Sequence, residues 1–457
     1  DDNDERTPTP AGSIDDASRL NRTKVEQIVQ VSPDRAEAQL QELLQIARKK
    51  NLKIAIAGAR HSQGGHTIYP GGIALDMLPF KRMKLDEQRN VLQVGAGARW
   101  QEIIPYLDAA GRSVAIMQSN NSFSVGGSIS VNCHGWQFDR PPIASSVVTL
   151  ELLKADGSIV RCSRTENPKL FSLVLGGYGL FGIILNVELR VVANKRYGLE
   201  QIVVPAAEGL AAFDEQIRQR PDVAMVYARL SIVPDSLFDE VIINLLYEDP
   251  DGDIPKLGEP GLQGVRRALF RGSANSDYGK KLRWNAEAKL QPFLKNRVFS
   301  RNQLLNEGVE VFESRKQGST DILHEYFVPR DRAADFVGRM GEIIAEQSAA
   351  LLNVTVRSVN TDSDSFLHYA SEPMLAFVML FTQPITETGE ADMQTLTRSL
   401  IDAAIEHGGR YYLPYRLHAT VEQFHRAYPQ ARAFFEAKRR HDPDELFQNQ
   451  LYLKYGK

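Results

Sequence analysis

The chain has 457 residues, of which 43% are hydrophobic and 24% are charged, and its formal net charge is -3. This length allows two or more globular domains, and the small negative charge argues against a dedicated nucleic-acid-binding protein. No run of 18 apolar residues occurs, so the sequence predicts no transmembrane segment. Two cysteines, Cys133 and Cys162, are too few for a disulfide scaffold or a cysteine-ligated metal site.

The first residues, DDNDERTPTPAGS, are polar and contain proline, which predicts a flexible leader over residues 1–20. Such a stretch is typical of what remains after processing or trimming of a longer chain. It favours export, with a cytoplasmic location as the alternative.

The next segments alternate between helical and strand patterns. Ser32 and Pro33 predict the start of a helix, and short apolar strands are predicted at 53–57, 73–77 and 91–97. A second helix is predicted from Trp100 onward. The stretch 147–162 reads as two strands around Asp156 and Gly157, a strong hairpin signal. Because the hairpin makes the sheet partly antiparallel, we predict an α+β fold.

Three glycine-rich stretches indicate close approach of the backbone to a ligand. They are AGARHSQGGH (57–66), SFSVGGSISVNCHG (122–135) and GGYGLFG (176–182). The third fits G-x-G-x-x-G, but a dinucleotide fingerprint needs a strand before it and a helix after it. Here a helical pattern (167–175) precedes the glycines and a strand pattern (183–192) follows, which disfavours a nicotinamide site.

The histidines of these stretches leave three kinds of ligand open: a metal, a phosphate, or a cofactor attached to one histidine. His61, His66 and His134 are not accompanied by clustered carboxylates, and a five-residue spacing fits no helix face. The sequence therefore predicts no metal site.

Four motifs together resemble the flavoproteins of the vanillyl-alcohol oxidase type, which share the PCMH-type FAD-binding fold. They follow one another in the family's order: GARHSQGG, VLQVGAGARWQEIIPYL, SVGGSISVNCHG and GGYGLFGIILNVELRVV. DPDELFQNQLYL (442–453) is similar to the segment that returns to the FAD domain. HEYFVPR (324–330) and the stretch 406–429 are similar to the branch of alditol oxidase, the aldonolactone oxidases and decaprenylphosphoryl-ribose oxidase.

The resemblance implies an α+β architecture with a two-subdomain FAD-binding domain at 21–195 and a cap domain at 196–405. An antiparallel sheet of the cap is expected to cover the flavin, and 406–457 to return to the FAD domain and the active site.

FAD is the implied cofactor, and the resemblance implies a covalent bond between the flavin and His61. The alternative is that His61 only forms a hydrogen bond with the cofactor. A neutral imidazole is a good nucleophile near pH 7. Doubly attached members carry a cysteine where this chain has Asn120, so no second link is expected. The residues that the resemblance assigns to FAD binding are Gly58, Ala59, Arg60, His61, Ser62, Gly64, Gly65, Ser119, Val125, Gly126, Gly127, Ser130, His134, Gly135, Gly179, Gly182, Ile183 and Asn449.

The resemblance assigns the substrate hydroxyls to Glu325 and Arg357, which otherwise would be exposed strand charges or an ion pair. Where several members place a lysine, this chain reads YYLPYRLH from 411 to 418, so Tyr415, Arg416 or His418 is expected to take that role. A tyrosine binds a hydroxyl or, when deprotonated, acts as a base. Strand alternation would place Tyr412, Pro414 and Arg416 on one face and Tyr415 on the other.

The segment 265–301 contains ten Lys or Arg residues against only Asp277 and Glu287. Interleaved apolar residues make it amphipathic, which suits contact with a membrane surface or an anionic substrate. A solvated helical insertion or an oligomer contact is the alternative.

The implied function is oxidation of an alcohol carbon of a sugar, polyol, lactone or related compound. A hydride would pass to flavin N5, and oxygen or another acceptor would reoxidise the flavin. The alternatives are a dehydrogenase that uses a quinone or protein acceptor, on a lipid-linked or phosphorylated substrate, and a non-catalytic flavin-binding protein.

Overall fold

The computed structural model describes residues 6–138, 140–259, 277–289, 294, 296–306 and 316–457, except the side chains of 212, 214–216, 277 and 278. Its sheets combine parallel and antiparallel strands with helices interspersed along the chain, so the predicted α+β class is confirmed.

A small parallel sheet stands first. After a two-stranded ribbon of β1 (Ser13–Ile14) and β2 (Thr23–Lys24), three strands form the sheet in the order β3-β5-β4. They are β3 (Gln27–Gln30), β4 (Ile54–Ala57) and β5 (Ile73–Asp76). Helix α1 (Ala36–Lys49) buries Leu40, Leu43 and Leu44, whose three- and four-residue spacing gives one apolar face.

A six-stranded antiparallel sheet follows, in the order β10-β9-β11-β7-β6 with β8 paired to β11. Its strands are β6 (Met83–Asp86), β7 (Val91–Gly95), β8 (Arg112–Val114), β9 (Val147–Leu153), β10 (Ile159–Ser163) and β11 (Ile183–Ala193). The predicted hairpin is confirmed, because β9 pairs antiparallel with β10 and Gly157 turns with a φ of 88°. Three helices accompany this sheet: α2 (Trp100–Asp108), α3 (Val125–Val131) and α4 (Pro168–Val174).

The largest sheet has eight strands in the order β15-β12-β14-β13-β17-β18-β16-β19. They are β12 (Arg196–Pro205), β13 (Val223–Leu230), β14 (Glu240–Glu248), β15 (Val298–Ser300), β16 (Ser319–Pro329), β17 (Leu351–Val359), β18 (Met374–Pro384) and β19 (Arg410–Tyr411). Within the described ranges, the helices of this region are α5 (Ala206–Arg218), α6 (Asp277–Ala288), α7 (Arg301–Leu305), α8 (Ala333–Glu346) and α9 (Glu387–Glu406). Helices α5, α8 and α9 pack against strands of this sheet.

The last segment returns to the first sheet. It contains α10 (Val421–Ala427), α11 (Ala431–His441) and α12 (Gln450–Tyr455). Phe447 forms a parallel bridge with Ile54, and the backbone N–H of Gln448 donates to the carbonyl of Ile54 at 2.9 Å. The chain therefore closes the edge of the sheet that carries the first glycine-rich stretch.

The sequence predicts no transmembrane segment, and it predicts a basic, amphipathic segment at 265–301. Among the helices in the described ranges, none is long and apolar enough to cross a membrane. Residues 265–276, 290–293 and 295 of the basic segment 265–301 lie outside the described residues, but α6 within the segment is described.

Candidate active site

A cavity of about 440 Å³ lies between the glycine-rich stretches and the eight-stranded sheet. One wall consists of residues from 56–67, 118–136 and 178–184. The other wall comes from β13, β16, β17 and β18, with Tyr412, Pro414 and Tyr415 after β19. Segments far apart in sequence thus enclose one space.

The predicted cofactor residues divide into two sets. Those that line the cavity are Gly58, Ala59, Arg60, His61, Ser62, Ser119, Gly126, Gly127, Ser130, His134, Gly179 and Gly182. Those that do not line it are Gly64, Gly65, Val125, Gly135, Ile183 and Asn449. Members of the second set support the wall: Asn449 caps α12 and donates to the carbonyl of Tyr178 at 2.8 Å. A Cβ at Gly135 would lie 2.0 Å from the carbonyl oxygen of Met117.

The backbone of 59–62 forms an anion cradle on the cavity wall. Arg60 has a φ of 59°, a left-handed conformation that turns successive N–H groups toward one side. None of the four N–H groups donates to another described residue. Backbone N–H groups that line a cavity without a protein partner can bind an anion, so this loop fits the pyrophosphate of a dinucleotide cofactor.

The centre of the second glycine-rich stretch forms helix α3. Ser124 caps the helix by accepting a hydrogen bond from the N–H of Gly127 at 3.2 Å. A Cβ at Gly58 would lie 2.0 Å from Ser124 Oγ. Glycine at 58 therefore allows the first stretch to pack directly on the helix cap.

His61 is half-buried and lines the cavity. Its ring stacks on Phe123 with centroids 4.3 Å apart, and Nε2 lies 3.3 Å from the carbonyl of Ser122. Burial lowers the pKa of His61 to about 4, which the Ser122 carbonyl only partly opposes. The imidazole is therefore neutral at pH 7, as a nucleophilic attachment or a neutral hydrogen bond requires.

A polar cluster centres on Glu325 of β16. Glu325 is 3% exposed, its Oε2 contacts Nε2 of His134, and its Oε1 lies 3.5 Å from the hydroxyl of Tyr415. The other ring nitrogen of His134, Nδ1, has no partner among the residues that the structure describes. Burial, and then the charge of Glu325, raises the pKa of Tyr415 well above 10. Tyr415 is thus a hydrogen-bond donor and not a base at neutral pH.

Arg357 of β17 stands beside this cluster. Its guanidinium donates to Ser119 Oγ at 2.7 Å, while its Nε has no partner within the described ranges. Burial lowers the pKa of Arg357, and the charge of Glu325 opposes that decrease. The guanidinium therefore stays charged at neutral pH. The guanidinium can bind a substrate oxygen.

Arg416 does not lie in this cavity. It donates to Glu390 at 2.7 Å and to Asn21 at 2.9 Å, in a separate groove that His418 also lines. The predicted strand alternation over 412–417 was wrong, because β19 ends at Tyr411 and the chain turns afterwards. Tyr412, Pro414 and Tyr415 consequently all line the cavity.

Several lining residues were not anticipated. Asn353 and Thr355 alternate with Arg357 along β17, so a period of two extended from Arg357 would have found them. The pairing of His134 with Glu325 spans 191 residues and leaves no local signal. Within the described part of the chain, no group of three or more His, Cys, Asp or Glu could hold a metal ion.

Comparisons with known proteins agree with this geometry. Residues 31–163 match the family model "FAD binding domain", and residues 281–455 match "D-arabinono-1,4-lactone oxidase". The chain is similar to L-gulonolactone oxidase of Mus musculus, with 29% identity over 34% of this chain and 35% of the relative. Mitochondrial L-galactono-1,4-lactone dehydrogenase of Arabidopsis thaliana is 28% identical over 34% of this chain and 26% of the relative.

Cytokinin dehydrogenase 2 of Arabidopsis thaliana is 31% identical over 33% of this chain and 31% of the relative. The aligned region covers about a third of the length of such relatives.

Proposed function

Because the chain belongs to the flavoproteins of the vanillyl-alcohol oxidase type, we propose that it is an FAD-dependent oxidoreductase acting on an alcohol carbon. Its substrate is a sugar, polyol, aldonolactone or related hydroxylated compound, with oxygen or another acceptor taking up the electrons. One observation carries the proposal: the buried Glu325 and His134 pair shares a cavity with the anion cradle at 59–62.

FAD is held by the glycine-rich wall in this proposal. The free N–H groups of 59–62 bind the pyrophosphate, and Gly126, Gly127 and Gly182 allow its close approach. The parallel sheet and the six-stranded sheet are the two subdomains of an FAD-binding domain at 21–195. Residues 196–405 form the cap, and 406–457 complete the site.

The protein's own residues supply substrate binding and proton transfer. Bound FAD supplies the two-electron acceptor for the hydride. Arg357 binds an oxygen of the substrate, and Tyr415 donates to Glu325 Oε1 or to the substrate hydroxyl. Glu325 accepts the hydroxyl proton, and the hydrogen bond from His134 Nε2 to Oε2 holds its carboxylate in position.

The first test is anaerobic mixing of the purified holoprotein with polyols and aldonolactones while flavin absorbance is followed. Bleaching by these compounds and not by NADH is expected. Bleaching by NADH alone would instead favour a nicotinamide-dependent enzyme. A flavin spectrum that no hydroxylated compound changes would instead favour a non-catalytic flavin-binding protein.

The flavin is bonded to His61 in this proposal, which rests on the neutral, half-buried imidazole. After acid precipitation, the visible flavin bands are expected to stay with the protein pellet. In His61→Ala they should move to the supernatant, whereas His66→Ala, which changes a buried histidine with a similar pKa of about 4, should keep them in the pellet. Flavin released from the unchanged protein would contradict the covalent bond.

A further inference from the structure

Residues 13–21 pack against the first glycine-rich stretch. The backbone N–H of Ala17 donates to the carbonyl of Arg60 at 3.2 Å. Asp16 and Ala17 line the same cavity as the anion cradle. These residues precede the range that matches the FAD-binding family model, which begins at residue 31. The wall of the cavity therefore includes a segment that the family match does not cover.

Asp16 connects this segment to the end of the glycine-rich stretch. Its Oδ2 accepts from the backbone N–H of Gly65 at 2.8 Å and from Nδ2 of Asn21 at 2.7 Å. Its Oδ1 accepts from the N–H and the hydroxyl of Ser18, at 3.0 and 2.6 Å. Asp16 is 7% exposed, and hydrogen bonds to a charged acceptor are stronger than those between neutral groups. The carboxylate thus fixes the position of the peptide group before Gly65.

Asn21 and Arg416 hold a neighbouring peptide group through the carbonyl of Gln63. Asn21 Nδ2 donates to this carbonyl at 2.9 Å, and Arg416 Nη1 donates to it at 3.1 Å. Arg416 Nη1 also donates to Asn21 Oδ1 at 2.9 Å, and Arg416 Nη2 donates to Glu390 at 2.7 Å. Arg416, which the resemblance assigned to the active site, therefore contacts the cofactor loop from outside the cavity.

The peptide groups held in this way lie beside the groups assigned to FAD and to the substrate. Gln63 follows His61 by two residues, and its N–H donates to the carbonyl of Pro414 at 2.8 Å. A Cβ at Gly64 would lie 2.4 Å from the carbonyl oxygen of Tyr415, so the two backbones are in direct contact. Because the loop is closely packed, its displacement would move both His61 and Tyr415.

We propose that Asp16, Asn21 and Arg416, named here the loop clamp, position the anion cradle and His61 for FAD. They act through the backbone of residues 63 and 65, so they are positioning residues and not groups that react. A binding site keeps its geometry only when a surrounding layer of side chains holds the groups that contact the ligand. The inference rests on the proposed function for the placement of FAD at this loop.

The test measures the affinity for FAD in a His61→Ala background, in which no covalent bond to residue 61 can form. The apoprotein is titrated with FAD, and quenching of the flavin fluorescence gives the dissociation constant and the number of sites per chain. Asp16→Ala and Arg416→Gln are each expected to raise the dissociation constant about tenfold or more, because hydrogen bonds that fix the loop are lost. A role in folding alone would instead lower the number of sites and leave the dissociation constant unchanged.

A third variant and two matched controls complete the test. Asn21→Ala keeps the test decisive where Asp16→Ala does not fold, and it should also raise the dissociation constant. Asp34→Ala removes an exposed carboxylate, and Arg339→Gln removes an exposed guanidinium that pairs with Glu342 on α8. Both controls should keep the dissociation constant within about twofold.

The outcomes separate this inference from the proposed function. A dissociation constant that stays within about twofold in all the clamp variants, while polyols or lactones still reduce the flavin of the unchanged protein, would overturn the loop clamp alone. A raised dissociation constant in the clamp variants, with an unchanged protein whose flavin no hydroxylated compound reduces, would support the loop clamp and overturn the proposed oxidation.

Discussion

Glu325 combines burial with two polar neighbours, an arrangement that is costly unless the group is used or well paired. A carboxylate removed from water needs compensating donors, and here they are His134 Nε2 and the hydroxyl of Tyr415. The same three groups can exchange one donor for a substrate hydroxyl without exposing the carboxylate. This makes Glu325 the residue whose substitution is most informative.

We expect Glu325→Gln to lower kcat by about 100-fold or more, because an amide cannot accept the hydroxyl proton. The FAD content should be unchanged, since the amide keeps the shape of the side chain. Steady-state kinetics with the best polyol or lactone, together with the flavin-to-protein absorbance ratio, measure both quantities.

The control for that variant is Glu342→Gln on α8, whose side chain is 64% exposed. It should behave like the unchanged protein. A loss of less than about tenfold in Glu325→Gln would contradict its role as proton acceptor, because general-base catalysis contributes more than that.

Local patterns in the sequence were sufficient to predict several strands, but not the contacts between distant side chains. The 147–162 hairpin and strand β11 follow from short-range periodicity and turn chemistry. Glu325, Arg357 and Tyr415 were selected by resemblance, and the structure brings all three to the cavity. Arg416 lies outside the cavity because β19 ends at Tyr411. The end of this strand depends on tertiary packing, which the alternation of side chains along a strand does not predict.

At the level of elements, α11 shows how the last segment is fixed. Lys438 and Asp442 lie one turn apart, both fully buried, and form an ion pair. Asp442 also accepts from the backbone N–H groups of Leu446 and Phe447, each at 2.9 Å. The pair thus connects the end of α11 to the stretch that bridges to Ile54.

Removing one charge of this pair should be strongly destabilising. Lys438→Met leaves the Asp442 carboxylate buried without its cation, so we expect a loss of about 3 kcal/mol or more in the free energy of unfolding. Chemical denaturation monitored by circular dichroism measures the change.

Two comparisons sharpen that result. The double variant Lys438→Met with Asp442→Asn removes both charges and should lose less than the single variant. Lys84→Ala, at an exposed position of β6, should change stability by no more than about 0.5 kcal/mol. A single variant as stable as this control would show that the ion pair is not needed.

At the scale of the whole molecule, two buried histidines make stability depend on pH. Burial lowers the pKa of His66 to about 4 and that of His324 to about 3. The unfolded chain takes up these protons near pH 6.5, so between that pH and about 4 it binds more protons than the folded protein. Stability therefore falls as the pH is lowered.

We expect the thermal midpoint of the holoprotein to drop steadily from pH 7 to pH 5. Each of these histidines contributes up to about 1.4 kcal/mol per pH unit to the slope. His324→Asn should give a shallower dependence, since one of the groups is removed. A midpoint that stays constant or rises over this interval would contradict the assignment.

The bridge between Ile54 and Phe447 has a consequence for synthesis in the cell. The sheet edge next to the first glycine-rich stretch is completed by residues almost 400 positions later, and Gln450 donates to the carbonyl of Gly65 at 3.1 Å. While a ribosome is still translating the middle of the chain, this edge has no partner. A nascent chain can therefore assemble its first helices and strands early, but it gains a finished cofactor pocket only once residue 450 has left the exit tunnel.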